Sequence, residues 1–411
     1  MGDPTLVPQL IADLKRDDGA LTLRILFSST SGAGHLGPLV PYAQALARRG
    51  HEVRVSSPEG ASAALQRAGL AHARVADPSD EEAKAFWVRM DAAKGDDAQA
   101  LAWREGFSGS LARSAMPALQ QTLGDWRPDL IVRESAEFAA LVAAERAAVP
   151  HARVAVHSGR FEAWGSTHVI ESLDALRRAA GLDPDGGAAL RAEKVFTAFP
   201  ASLDGDGAAP GGQAPFRVAA SRGAAVSAKE TSAWATKNGL PFVYVTLGTV
   251  SGRSERVRAA YCDILEALGT LPVSALLTTG PVMTAEALGT VPDNVTVRDF
   301  VPQAEVFPHA TAVVCHGGSG TLLGGLAARL PMVVMPLFAD QPYNARAVED
   351  AGAGVAVLQP EAATLRTAIE RVLNDSSLRA GAGRIADEMS TMASMDDAAE
   401  ALLALAHERT G

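Results

Sequence analysis

The strongest constraint on the fold of this chain is the alternation of short apolar runs with alanine-rich helical patterns along nearly its whole length. The runs are rich in β-branched residues and are bounded by Gly or Pro, which is typical of strands buried on both faces, as in parallel sheets. Strands that alternate with helices place those helices on both faces of a sheet, so the pattern predicts doubly wound α/β domains. The predicted strands are 21–29, 51–57, 129–134, 152–158, 241–249, 273–280, 295–301, 312–318 and 332–337.

The length of the chain and one biased stretch predict two such domains. At 411 residues the chain exceeds what a single core normally supports. Residues 200–223 are rich in Gly, Ala and Pro and interrupt the alternation, as an interdomain linker does. The predicted organisation is an N-terminal extension (1–20), a first domain (21–205), a linker (206–222), a second domain (223–385) and a C-terminal helix (386–411) that packs back on the first domain.

Composition argues against several classes of protein. A formal net charge of −10 gives no electrostatic support for binding to nucleic acids or anionic membranes. No secretory signal is evident, and the longest apolar runs, such as 332–337, are far shorter than the roughly 20 residues of a membrane-spanning helix. Cys262 and Cys315 lie in apolar runs and suit a reducing compartment better than a disulfide framework. We therefore expect a cytoplasmic protein.

The densest chemical signal begins at the segment HGGSGT (316–321), which joins a predicted strand to a helix. Glycines let backbone N–H groups face a ligand, and a helix N-terminus carries partial positive charge. The turn therefore favours an anion such as a diphosphate, with His316, Ser319 and Thr321 as further hydrogen-bond donors. The alternative is an ordinary glycine-rich turn.

A second polar turn follows the next predicted strand. Asp340 and Gln341 stand where that strand ends, which is the ligand position in open α/β sheets. A carboxylate beside an amide suits the vicinal hydroxyls of a sugar, while the alternative is that Asp340 only caps the next helix. Two more strand ends bring in the turn Gly248-Thr249 and Gln303, the latter after a proline that fixes the local backbone.

The segments HGGSGT, FADQPYNA, FVPQ and TLGT, in this arrangement, resemble the donor half of the GT-B nucleotide-sugar glycosyltransferases. The resemblance is closest to the actinobacterial family that decorates natural products, and it covers residues 22–405. It implies two Rossmann-like domains that face each other across a cleft. It places the nucleobase against Phe300, Val301 and Gln303, the diphosphate against His316, Gly318, Ser319, Gly320 and Thr321 with Gly248 and Thr249 nearby, and the sugar hydroxyls against Asp340 and Gln341.

One departure from the family pattern concerns the nucleotide. Many members that use UDP-sugars have a glutamate eight positions after the loop histidine, where it binds the ribose hydroxyls. Here that position is Gly324. Because a deoxyribose lacks the 2′-hydroxyl, losing this acceptor matters less for dTDP than for UDP. The resemblance therefore implies a nucleotide-sugar co-substrate, with a dTDP-deoxysugar favoured over a UDP-sugar.

The segment GAGHLG, after the first predicted strand, has two incompatible interpretations. Its glycines fit the dinucleotide fingerprint G-x-G-x-x-G, but the second strand does not end in the acidic residue which that fingerprint needs, and Glu59 lies just beyond it. Pro38 and Pro41 follow closely, so we expect the helix to begin after His35. The resemblance implies the second interpretation, in which His35 is the general base that deprotonates an acceptor hydroxyl. A packing role for a lone histidine is the alternative.

A histidine base usually needs a carboxylate on its other ring nitrogen. Family members often supply an aspartate just after the strand that begins with the letters PDL, and the corresponding residue here is Glu134. Its longer side chain can serve the same purpose. The alternative is a glutamate that caps a helix or pairs with Arg133.

The acceptor side of the cleft is the least defined by the sequence. Residues 80–125 read as helical and carry aromatic side chains, either as an ordinary helical insertion or as the wall of an apolar pocket. With residues 159–180 they suit a polyketide or another hydrophobic acceptor. The candidate acceptor-binding residues are Phe86, Trp87, Trp103 and Phe107.

The expected activity is inverting, metal-independent transfer of a sugar to a hydroxyl of a small hydrophobic acceptor, by a monomer or homodimer. Asp204-Gly-Asp206 matches the D-x-D metal motif of another glycosyltransferase architecture, but it lies in the linker rather than at a strand end. A nucleotide-sugar epimerase or hydrolase on the same fold, and a catalytically silent relative that activates a partner protein, are the alternatives. The assignment as a nicotinamide oxidoreductase comes last, because only the glycines of GAGHLG support it.

Overall fold

The computed structural model describes residues 22–204, 215–219, 239–248, 255–280 and 283–407, and these form two parallel sheets. The first sheet has the strand order β3-β2-β1-β4-β5-β6-β7 and the second β10-β9-β8-β11-β12-β13. The strands of the first sheet are β1 Arg24–Ser28, β2 Glu52–Pro58, β3 Ala71–Val75, β4 Leu130–Glu134, β5 His151–Ala155, β6 Lys194–Thr197 and β7 Phe216–Arg217. Those of the second are β8 Phe242–Thr246, β9 Ser274–Thr278, β10 Val295–Arg298, β11 Ala312–Cys315, β12 Met332–Val334 and β13 Gly354–Ala356.

Both sheets reverse their strand order beside the first strand, which is where open α/β sheets bind ligands. In the first sheet, Ile25 of β1 stands opposite Val53 of β2 on one side and Leu130 of β4 on the other. The strand β4 is buried along its whole length, as are β8 and β9. Their continuous apolar runs follow from helices that cover both faces of each sheet. The doubly wound α/β prediction is confirmed.

Helices flank both sheets. In the first half they are α1 Ala33–Arg48, α2 Ser62–Ala68, α3 Asp80–Ala92, α4 Gly95–Leu101, a π-helical segment Ala102–Leu111, α5 Ala112–Trp126, α6 Ala139–Ala147, α7 Gly159–Ala179, α8 Ala188–Ala192 and α9 Ala201–Asp204. In the second half they are α10 Glu255–Gly269, α11 Gln303–Val306, α12 Ser319–Ala327, α13 Gln341–Asp350, α14 Ala362–Asn374, α15 Ser376–Ser390 and α16 Met395–His407. Within the described ranges, no helix is long and apolar enough to cross a membrane.

The start of α1 differs from the sequence prediction. The helix begins at Ala33 and contains both prolines, rather than beginning after His35. Its first turn is closed by hydrogen bonds from the backbone N–H groups of His35 and Leu36 to the carbonyl of Gly32, at 3.2 and 3.0 Å, and these bonds precede Pro38. A helix that opens through the glycines is compatible with the dinucleotide fingerprint, so the helix start does not distinguish the two interpretations of GAGHLG.

The C-terminal helix α16 lies against the first domain. Leu402 is fully buried in the same apolar core as Leu39 and Leu46 of α1, and Arg49 Nη1 lies 2.7 Å from Asp396 Oδ1. The helix α15 runs without a break through position 385, where the second domain was expected to end, and β7 adds to the first sheet from within the expected linker. The chain therefore crosses from the second sheet back to the first before it ends.

Candidate active site

His35, in the first turn of α1, and Glu134, the last residue of β4, lie side by side. His35 Nδ1 lies 3.2 Å from Glu134 Oε2, with the histidine side chain 20% exposed and the glutamate side chain fully buried. The strands β1 and β4 are hydrogen-bonded neighbours, so residues at their carboxyl ends meet at one edge of the sheet. The pair that the sequence predicted is therefore formed, and Glu134 is aimed at the histidine rather than at Arg133.

The carboxylate of Glu134 accepts three hydrogen bonds from neighbouring groups of the protein. Its Oε1 accepts hydrogen bonds from Thr30 Oγ1 at 2.7 Å and from the Thr30 backbone N–H at 3.2 Å, while Oε2 accepts one from the Ala136 N–H at 2.6 Å. Burial by itself would raise the pKa of Glu134, but His35 and these donors outweigh it and lower that pKa to about 2. The carboxylate is thus ionised and immobile at neutral pH.

Glu134 acts in turn on the imidazole. Burial lowers the pKa of His35, but the attraction of Glu134, with a smaller contribution from Asp340, raises it above its ordinary value overall. The Nδ1 atom is buried and makes no well-aligned hydrogen bond in spite of its distance of 3.2 Å from the carboxylate. Catalytic hydrogen bonds are often poorly aligned before substrate binds. Since Nδ1 faces Glu134, Nε2 is the nitrogen left for a substrate.

The buried side chain of Arg133 explains why it does not compete for Glu134. Its guanidinium pairs with Glu193 and donates to the backbone carbonyls of Glu134, Ser135 and Glu137 at 3.1 Å each. The guanidinium therefore stabilises the loop that follows β4 through backbone oxygens.

A second buried carboxyl, Glu137, lies near the dyad but has a different function. It accepts hydrogen bonds from the backbone N–H groups of Ala139 and Ala140, at the start of α6, at 3.2 and 2.9 Å. Burial raises its pKa to about 7. Its contacts are structural, which makes it a useful control for Glu134.

In the second domain, the loop after β11 packs the ring of His316 between two glycines. A Cβ atom at Gly248 would lie 2.9 Å from His316 Nε2, and one at Gly318 would lie 2.6 Å from the same atom. Neither position can take a side chain without displacing the ring. Gly318 is also the N-cap of α12, so the histidine stands at the N-terminus of a helix, as the sequence predicted.

The imidazole of His316 is neutral at physiological pH. Burial lowers its pKa to about 4 and outweighs the attraction of Asp340 and of the Thr246 backbone. Its Nδ1 atom is buried and has no hydrogen-bond partner among the described residues. A neutral ring here can donate one N–H to an anion without the energetic cost of burying a positive charge.

The sugar-binding candidates Asp340 and Gln341 begin α13. Asp340 is buried, and its Oδ2 accepts hydrogen bonds from Asn344 Nδ2 at 2.9 Å and from Ser319 Oγ at 3.2 Å. Gln341 Oε1 accepts the backbone N–H groups of Leu337 and Phe338 at 2.8 and 3.0 Å. The amide oxygen of Gln341 is therefore already engaged, and its amide nitrogen is the group that remains for a ligand.

The segment predicted to contact the nucleobase has both exposed and buried side chains. Phe300 is 67% exposed, whereas Val301 is buried. Gln303 Nε2 donates to Thr321 Oγ1 at 2.8 Å and so connects this segment to α12. Of this segment, Gln303 contacts the donor loop, while Thr249 lies outside the described residues.

Gly324 is closed off by an aromatic ring. A Cβ atom at this position of α12 would lie 2.7 Å from Phe307 Cε2. No side chain fits there unless the ring moves, so the ring fills the space that the family glutamate would enter.

The predicted acceptor residues separate into two groups. The ring of Phe107 lies 5.4 Å from that of His35, and Trp103 packs against Phe107 at 6.2 Å in the core of the first domain. Phe86 instead lies over Gly106 of the π-helical segment, and Trp87 is 60% exposed, with no described contact to His35.

The structure adds rings near the base that the sequence analysis did not single out. His157, just after β5, lies 5.9 Å from the ring of His35 and 5.1 Å from that of Phe161. Tyr343 of α13 reaches Phe161 from the second domain at 5.2 Å. Tyr343 lies far from His157 and Phe161 in the sequence, and the available signals were the position of His157 at the end of a predicted strand and that of Phe161 within 159–180.

Of the D-x-D candidate, Asp204 has structural contacts, while Asp206 lies outside the described residues. Asp204 is buried, receives the backbone N–H of Gly159 and pairs with Arg217 Nη1 at 2.9 Å. Within the described ranges, no three His, Cys, Asp or Glu side chains are grouped so that they could hold a metal ion.

Comparison with known proteins connects this geometry to one family. Residues 44–174 and 263–405 match the N-terminal and C-terminal domain models described as erythromycin biosynthesis protein CIII-like. L-demethylnoviosyl transferase from Streptomyces niveus is 31% identical, over 89% of this chain and 94% of its own. Tylactone mycaminosyltransferase from Streptomyces fradiae is 29% identical, over 90% of both chains.

Two solved structures have the same fold. The glycosyltransferase SnogD from Streptomyces nogalater superimposes with a TM-score of 0.75 at 26% identity, over 94% of this chain and 99% of its own. The glycosyltransferase VinC, solved in complex with DTDP, superimposes with a TM-score of 0.74 at 21% identity, over 94% of this chain and all of its own (100%). At that identity the second match shows the fold alone.

Proposed function

The chain belongs to the erythromycin CIII-like family of natural-product glycosyltransferases, with the GT-B fold, and from this premise we propose that it is an inverting, metal-independent enzyme that uses a dTDP-sugar. The acceptor is a hydroxyl of a small hydrophobic natural product. The observation that carries the proposal is the His35–Glu134 pair, which lies in the electrostatic reach of Asp340 on the opposite domain.

The proposed reaction is a single displacement. His35 Nε2 takes the proton of the acceptor hydroxyl while the acceptor oxygen forms a bond to the anomeric carbon of the donor. The bond between that carbon and the diphosphate oxygen breaks on the opposite face, so the configuration inverts. Glu134, ionised and held by Thr30 and Ala136, stabilises the imidazolium that forms.

The leaving nucleoside diphosphate meets the N-terminus of α12. Backbone N–H groups at Gly318–Thr321 and the helix dipole stabilise negative charge there, and the neutral ring of His316 adds a donor. These groups supply from the protein the stabilisation that a metal ion gives in other transferases. This arrangement supports metal independence.

The preference for dTDP rests on α12 as well. Phe307 fills the space beside Gly324, and a glutamate that would bind a ribose 2′-hydroxyl has no room there. The complex of VinC with DTDP, in a protein of the same fold, is consistent with this preference.

We expect transfer to a phenolic or polyketide acceptor to proceed in the presence of EDTA and to give a product of opposite anomeric configuration to the donor. The measurement is ¹H NMR of the product of a reaction with a dTDP-deoxysugar of known configuration. Retention of configuration, or loss of turnover that Mg²⁺ restores, would contradict the proposal. A nucleotide-sugar hydrolase would release free sugar at a rate independent of the acceptor.

A further inference from the structure

Tyr343 belongs to the second domain but packs into the aromatic cluster of the first. It lies on α13, three residues after Asp340, and its backbone N–H donates to the Asp340 carbonyl at 3.0 Å. Its ring stands edge-on to Phe161 at 5.2 Å and tilted over Trp164 at 6.3 Å. The helix that carries a sugar-binding candidate therefore also reaches the opposite wall of the cleft.

The rings that Tyr343 contacts lead directly to the base. Phe161 is buried and lies 5.1 Å from His157, which lies 5.9 Å from His35. Trp164 stacks on Phe161 at 5.5 Å with an interplanar angle of 20° and is only half-buried. A continuous set of rings thus extends from the catalytic histidine to the second domain.

A second contact from the second domain reaches the segment that carries these rings, residues 156–164, at its N-terminal end. Ser319 Oγ, at the start of α12, lies 3.1 Å from the backbone carbonyl of Val156 in the first domain. Val156 precedes His157, so the wall segment 156–164 lies between two groups of the second domain, Ser319 and Tyr343. Its position depends on both domains.

We propose that Tyr343, although it stands on the donor-binding domain, is a specificity-determining residue for the acceptor. With Trp164 it forms an aromatic surface that selects acceptors presenting a flat, unsaturated ring system, since aromatic rings contact such faces edge-on or offset. The inference rests on the proposed function and deepens it by naming the acceptor class. Acceptor choice is then not confined to the first domain.

The location of the phenol agrees with this assignment. Burial raises the pKa of Tyr343, and the carboxylate of Asp96 on α4 of the first domain raises it further. Arg346, on the same helix as Tyr343, lowers that pKa, so the half-buried phenol lies between charged groups of both domains while its ring packs on the first.

The test is calorimetric titration with alizarin, a planar hydroxyanthraquinone, in the presence of saturating dTDP. We expect Tyr343→Ala to weaken alizarin binding by about 3- to 10-fold, the range of one lost aromatic contact, and Tyr343→Phe to change it by less than about twofold. The Kd for dTDP should be the same in all three proteins, which also shows that the variants are folded. Leu358→Ala, which removes another exposed apolar side chain of the second domain (54% exposed), is the matched control and should bind alizarin like the parent.

A double variant measures how strongly the two rings are coupled in ligand binding. Loss of affinity in Tyr343→Ala combined with Trp164→Ala should be smaller than the product of the two single losses, because both rings contact the same ligand. An unchanged alizarin Kd in Tyr343→Ala, a parallel loss of dTDP affinity, or a parent protein that binds dTDP but not alizarin would each overturn the inference. A parent that binds no dTDP would instead contradict the proposed function itself.

Discussion

Replacing His35 by Gln is expected to lower kcat/KM for glycosyl transfer by a factor of about 10² to 10⁴, the usual contribution of a general base. Glutamine has no group that can take a proton from the acceptor hydroxyl at neutral pH, while its size preserves the packing against Phe107. The measurement is steady-state kinetics with the donor held at saturation. The Kd for dTDP should stay that of the parent, since the described diphosphate candidates all stand on the second domain.

The pH dependence of the activity is a second test of the function of His35. His35 acts as a base only when it is neutral, and Glu134 raises its pKa above the ordinary value of 6.5. Activity is therefore retained at alkaline pH and is lost as the pH falls through that raised value. A His35→Gln variant with near-parental kcat/KM, or a parent whose acid limb lies below pH 6, would contradict the assignment.

Replacing Glu134 by Gln is expected to lower kcat/KM by about 10² or more. In serine proteases the corresponding change from carboxylate to amide costs about 10⁴ in kcat, because the histidine loses its orientation and the stabilisation of its charged form. Here the amide also places N–H atoms toward donors that the carboxylate oxygens now accept from, at Thr30 and Ala136. Without the negative charge the pKa of His35 falls, so the acid limb moves to lower pH in the residual activity.

Glu137→Gln is the matched control for this variant. Glu137 is also buried and lies in the loop that follows Glu134 and β4, but its oxygens bind backbone N–H groups at the start of α6. We expect it to leave kcat/KM within about threefold of the parent, because Glu137 does not pair with His35; the amide nitrogen that replaces one of its oxygens faces a backbone N–H, so the cost falls on stability. Equal losses in Glu134→Gln and Glu137→Gln would mean that the loop, and not the dyad, is what the first substitution damages.

The central strands were predictable because burial on both faces leaves continuous apolar runs such as those of β4 and β8. The strands that the sequence did not indicate, β3, β6, β7 and β13, lie at or next to the sheet edges. An edge strand is covered on fewer sides, so β3 keeps the polar pattern AHARV and resembles a loop. The predicted start of α1, after His35, was wrong because hydrogen bonds to the Gly32 carbonyl close the first turn of the helix before the prolines.

The chemistry of the site was predictable where it stands at strand ends. Glu134 ends β4 and His316 directly follows β11, while His35 and Asp340 stand at the helix starts that follow β1 and β12. The carboxyl ends of neighbouring parallel strands meet at one edge of a sheet. The wall of rings was not predictable in the same way. His157 and Phe161 are neighbours in the chain, but Tyr343 reaches Phe161 and Trp164 from the second domain, and no local spacing encodes that contact.

The most direct test of the donor site is parallel calorimetric titration of the protein with dTDP, UDP and NADH. We predict that dTDP binds most tightly, that UDP binds more weakly because no side chain can stand at Gly324 to receive its 2′-hydroxyl, and that NADH does not bind. UDP bound more tightly than dTDP would overturn the donor assignment. NADH bound in the absence of affinity for either diphosphate would mean that GAGHLG is a cofactor loop, and it would contradict the account as a whole.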